Sequence, residues 1–130
     1  MNFAIITPLH ILAVASGAAL GACARWLLGL ALNQPDWPWG TMFANVLGGL
    51  LIGLLLSYWQ VTQAPPTWLS LFLVTGALGG FTTFSTFSSE VILYFMKGQT
   101  LLALLYMASS VIATLCATAV AFYSVQLIAK

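Results

Sequence analysis

The residues best equipped for chemistry crowd into one stretch. From Thr82 to Ser89 the chain reads Thr-Thr-Phe-Ser-Thr-Phe-Ser-Ser, six hydroxyl side chains interrupted by Phe84 and Phe87, and Glu90 follows. Hydroxyls donate hydrogen bonds, and a phenyl ring is electropositive along its edge. On a helix Phe84 and Phe87 share a face, as do Thr86 and Glu90 at a spacing of four. Such a surface could contact an anion without desolvating a full positive charge. The same Phe spacing also serves ordinary packing. Gly79 and Gly80 lead into the run. Each Gly lowers helix stability by about 1 kcal/mol relative to Ala, and Thr is stiff and competes for backbone carbonyls. A break near Gly79–Thr83 is therefore expected, with a continuous polar helix as the alternative. Freed carbonyls at a break are suited to a hard cation such as Na⁺.

Other polar residues are sparse. Asn45 could join two helices or donate into a pathway. Tyr106, Ser110 and Thr114 recur every four residues and form a hydroxyl stripe, for contact between helices or for an anion. Arg25 lies inside an apolar run, where a charge must be paired, cap carbonyls or snorkel. Glu90 belongs either to a wet vestibule or to a hydroxyl network.

The elements that position these residues follow from composition. Of 130 residues 62% are hydrophobic and only 4% charged, against about 25% charged in a soluble domain. Lipid must solvate most of this chain. Spans of roughly 20 apolar residues that satisfy their own backbone then imply helices. Four are expected, at about 9–32, 41–59, 68–96 and 101–128, in a single all-α transmembrane domain covering 1–130. Asn33 to Gly40, Gln60 to Thr67 and Lys97 to Thr100 read as connections, with Gly, Pro and Asn as breakers and Trp at the interface. Gly17/Gly21, Gly49/Gly53 and Gly76/Gly80 have small-xxx-small spacing and predict close helix approach. Cys23 and Cys116 fall in apolar runs and are expected as buried, unpaired thiols.

Several functions are disfavoured. A net charge of +1 leaves no basic patch for nucleic acid. His10 and two Cys are too few for a metal cluster. No nucleophile–base pairing suggests an enzyme. The first apolar stretch is too long for a signal peptide and has no basic residue before it. The termini side carries Lys130 and the amino group, and the opposite side carries Lys97 beside Asp36. This bias is too weak to set one orientation. Four helices are also few for enclosing a pathway alone. Together these features suggest a homodimer of opposed subunits. A pathway of amide, hydroxyl and ring-edge donors suits a small, strongly hydrated anion, whereas a cation path favours carboxylates and carbonyls.

The segment Gly79-Gly80-Phe81-Thr82-Thr83-Phe84-Ser85-Thr86-Phe87 resembles the signature of the CrcB/Fluc fluoride channel family. So do Gly21-Ala22-Cys23-Ala24-Arg25-Trp26, Gly40-Thr41, Asn45 and Gly48-Gly49. The resemblance covers essentially the whole chain. It implies a dual-topology homodimer in the bacterial inner membrane that passively exports fluoride entering as HF, and so gives fluoride resistance. It implies pore roles for Phe84, Phe87 and Asn45, and a polar track through Ser85, Thr86, Tyr106, Ser110 and Thr114. It further implies a structural Na⁺ on the backbone carbonyls of Gly79 and Thr82 from both subunits, a structural or vestibule role for Arg25, and no organic cofactor. Two other classes compete. A four-span multidrug or cation exporter would need an intramembrane carboxylate, typically in the first span, which has none. A holin-type pore would not need Asn45 beside clustered Thr and Phe.

Overall fold

The computed structural model describes residues 6–129. Helix α1 spans Pro8–Leu32 and α2 spans Trp39–Val61. The third helical segment, α3, covers Thr67–Met96, and α4 covers Thr100–Ile128. All four are long and apolar enough to cross a membrane, and no strand occurs among the described residues. The chain is thus an all-helical, multi-pass membrane protein. Lys130 and the amino terminus, which enter the orientation argument, lie outside the described residues.

Local chemistry sets the ends. Pro8 opens α1, where its missing N–H would have no helical partner in any case, and Thr7 N–H donates to His10 Nδ1 at 3.4 Å. Asn33 and Pro38 pair as an isolated antiparallel bridge and close the first connection. Gly98 takes φ +71° between α3 and α4, a region open to Gly at no steric cost.

The helix α3 is irregular. Leu71–Leu78 is π-helical, and Gly79–Phe81 is a single α-turn. Thr82 (φ −80°, ψ 156°) and Thr83 (φ −151°, ψ 123°) are extended, and Phe84–Met96 is regular α-helix.

Glycine decides which helices touch. A Cβ on Gly49 would lie 2.9 Å from the Thr114 carbonyl oxygen on α4, and one on Gly53 3.0 Å from Ala121 Cβ. A Cβ on Gly76 would lie 2.9 Å from the Val14 carbonyl oxygen, and one on Gly80 3.0 Å from Ala18 Cα. The glycine pairs therefore join α2 to α4 and α1 to the first half of α3. In lipid such backbone approach substitutes for the hydrophobic effect, which is absent between helices. The second half of α3 packs on α4 through Phe87, Val91, Tyr94, Ala103 and Tyr106, with Trp37 and Met42 against them.

Cys23 and Cys116 are free, as expected, but exposed on the protomer surface rather than buried. Each lies on a helix face turned away from the bundle contacts. In an apolar environment a thiol there meets no desolvation penalty.

Candidate functional site: a hydroxyl and aromatic groove at the third helix

The extended backbone at Thr82–Thr83 is held by a side chain from α2. Asn45 Nδ2 donates to the Thr83 carbonyl at 3.0 Å, and Thr83 N–H donates to Asn45 Oδ1 at 2.7 Å. A carboxamide here replaces the two backbone partners that Thr83 would have in a regular helix. Thr83 then caps the next turn, its Oγ1 accepting from Thr86 N–H at 3.2 Å. Thr83 Oγ1 also donates to Thr86 Oγ1 at 3.1 Å and lies 3.3 Å from Ser85 Oγ.

These substitutions release carbonyls. In an unbroken helix the Gly79 carbonyl would accept from Thr83 N–H and the Thr82 carbonyl from Thr86 N–H. Both of those donors are engaged elsewhere. The Gly80 carbonyl instead accepts from Arg25 Nε at 3.2 Å. Arg25 therefore caps a carbonyl of α3 from α1. Among the described residues no group of three or more His, Cys, Asp and Glu side chains is placed to hold a metal. A cation at this place would rest on carbonyl oxygens.

Beside the extended residues lies an open cavity of about 470 Å³. Asn45, Gly79, Thr82, Thr83, Phe84, Phe87, Ser110 and Thr114 line it. The Phe84 and Phe87 rings are 5.6 Å apart at 46°. They differ in environment: Phe87 is 7% exposed, whereas Phe84 is 77% exposed and projects from the protomer. Ser110 is buried, and its Oγ, like Ser57 Oγ and Trp37 Nε1, has no hydrogen-bond partner among the described residues. Such orphan hydroxyls are few in folded proteins, and each calls for a reason.

A second network lies behind the buried Phe87. Phe87 packs on Tyr106 at 5.2 Å. Tyr106 is fully buried, and its OH donates to Glu90 Oε2 at 2.7 Å. Thr41 Oγ1 donates to Glu90 Oε1 at 2.7 Å. Glu90 thus belongs to a hydroxyl network, and its partners are Thr41 and Tyr106 rather than Thr86. Beyond it a smaller cavity of about 150 Å³ is lined by Asn33, Gln34, Glu90, Tyr94 and Lys97.

The fold gathers most of the residues singled out from sequence, from α2, α3 and α4. Ser85 is exposed at the side of the groove, and Thr86 is turned into the Thr83 cap. Arg25 stays on the α1 side, joined to the site through the Gly80 carbonyl. Sequence reasoning missed Thr83 as the pivot, Thr118 in the groove wall, and Thr41 with Asn33 beside Glu90. Thr41 and Asn45 are four apart on α2, and that spacing could have marked Thr41.

Comparison with known proteins finds clear relatives of the chain. Residues 12–122 match the family described as "CrcB-like protein, Camphor Resistance (CrcB)". A protein of Bordetella avium named "Fluoride-specific ion channel FluC" is 49% identical over 126 residues, 97% of this chain and 100% of its own length. Proteins of the same name from Bordetella petrii (51% over 119 residues) and Thiobacillus denitrificans (45% over 117) cover 92% and 88% of this chain, and 93% and 94% of their own lengths.

Proposed function

The chain belongs to the CrcB family, and from that premise we propose that it is a passive, fluoride-selective ion channel, not an enzyme. The observation that carries this reading is the groove itself. It offers donors and ring edges, and no charged side chain lines it. Ser110 and Thr114 add hydroxyl side chains to its wall. Asn45 Nδ2 has a second N–H beyond the one given to Thr83. A small anion sheds tightly held water only where replacement donors stand ready. Phe84 and Phe87 add weakly polar edges that bind without trapping. Passive export through such a path lowers cytoplasmic fluoride that has entered as HF.

The working unit in this reading is a homodimer of opposed subunits. Phe84 projects from an open groove, and a second copy would complete the wall. Gly79 and Thr82 would hold a structural Na⁺ there, through carbonyls whose helical donors are engaged elsewhere. The donor set fits a hard cation. Such an ion would supply positive charge that ties the two backbones together.

The test is fluoride efflux from liposomes carrying the purified protein, with chloride run in parallel. Fluoride efflux well above chloride efflux is expected. Equal rates, or no efflux, would overturn the reading.

A further inference from the structure

We propose that Asn33 is a positioning residue of the anion path: its carboxamide sets the direction of the Thr41 hydroxyl and thereby pins Glu90. This rests on the channel reading above and concerns a residue outside the groove. Asn33 ends α1, and its side chain reaches the first turn of α2. Its Oδ1 accepts from Thr41 N–H at 3.1 Å, and its Nδ2 donates to Thr41 Oγ1 at 3.4 Å. Gly40 makes room for it, since a Cβ there would lie 2.8 Å from Asn33 Oδ1.

The polarity of the chain follows. A hydroxyl has one hydrogen to give. Because Asn33 Nδ2 occupies a lone pair of Thr41 Oγ1, the Thr41 hydrogen is aimed at Glu90 Oε1. Tyr106 aims its own hydrogen at Oε2. Glu90 is thus held between two neutral donors, each at 2.7 Å. It lines the smaller cavity, as Asn33 does, and is joined to the groove through Tyr106, which packs on the groove residue Phe87. An anion moving between the groove and the smaller cavity would meet a carboxylate, and its passage would depend on where that charge is kept. With the Thr41 hydrogen released, Glu90 loses one of its two restraints. Its charge is then free to face the path and repel the ion.

Asn33→Asp separates this role from simple helix capping. Asp keeps an acceptor for Thr41 N–H but cannot donate, and it draws the Thr41 hydrogen to itself. Fluoride efflux in liposomes is expected to fall about tenfold, with dimer assembly unchanged. Thr41→Val keeps the backbone cap and is expected to show the same loss. In the Thr41→Val background, Asn33→Asp should change nothing further. If Asn33→Asp alone leaves efflux at the wild-type rate, the proposal fails. If it lowers efflux equally with and without the Thr41 hydroxyl, the added charge acts by itself and the proposal also fails. Should Asn33→Asp not assemble, Asn33→Ser with and without Thr41→Val decides the same question, since coupling between the two sites is what the proposal requires. Failure of the channel reading looks different: the wild-type protein itself would then carry no fluoride.

Discussion

Asn45 and Thr83 are joined by two hydrogen bonds, side-chain amide to backbone carbonyl at 3.0 Å and backbone N–H to side-chain carbonyl at 2.7 Å. The pair lets extended backbone persist within a membrane-length helix, where an unsatisfied peptide group would cost several kcal/mol. It also determines which carbonyls and hydroxyls face the groove.

Asn45→Leu removes both bonds and leaves two backbone groups of Thr83 without partners. Each buried orphan costs about 1–3 kcal/mol. Lower thermal stability in detergent and loss of fluoride efflux should appear together. Asn45→Asp keeps the acceptor and loses the donor, so its stability should fall between those of the wild type and Asn45→Leu. Differential scanning fluorimetry beside efflux checks both.

Phe84→Ile and Phe87→Ile replace a ring by an aliphatic group without electropositive edges. Efflux should drop by tenfold or more in each. The two should differ in stability. Phe87 packs in the core on Tyr106, whereas Phe84 is exposed on the protomer. Only Phe87→Ile should destabilise the isolated protomer fold, by about 1 kcal/mol. Unchanged efflux in both would make the rings packing residues.

Ser110→Ala tests the orphan hydroxyl. Removing a buried polar atom that has no partner should leave stability unchanged or slightly raised. Efflux should fall all the same, because the pathway loses a donor. A stability loss above about 1 kcal/mol would mean that the hydroxyl is bonded within the protein.

Replacing Na⁺ with a large organic cation during purification should lower thermal stability and weaken dimer assembly on size-exclusion chromatography. A ligand that binds only the folded state stabilises it in proportion to the logarithm of its concentration. The transition temperature should therefore rise with Na⁺ at constant ionic strength. Indifference to Na⁺ would remove the site assigned to the Gly79 and Thr82 carbonyls.

The sequence by itself determined the spans and marked the stretch, Gly79 to Glu90, around which the candidate site is built. Charge at 4% and hydrophobicity at 62% leave no alternative to lipid, and lipid permits few backbone forms. The observed helices Pro8–Leu32, Trp39–Val61, Thr67–Met96 and Thr100–Ile128 lie within two residues of the ends read from hydropathy and breakers. The glycine pairs likewise marked the helix contacts, because in lipid close approach requires small side chains.

Only the tertiary structure decided how the polar groups are spent. Asn45 could have faced another helix or a pathway, and it turns to the backbone of Thr83. Glu90 and Thr86 share a face yet do not pair: Glu90 takes Thr41 from α2 and Tyr106 from α4, and Thr86 takes Thr83 three residues earlier in α3. Arg25 caps a carbonyl 55 residues away. Hydrogen bonds of this kind depend on directions and on sequence-distant neighbours, and a one-dimensional pattern carries neither. Hydropathy is a property of each residue alone, so it survives reading along the chain. Hydrogen-bond partnership is a property of pairs, fixed only once α1, α2, α3 and α4 have packed.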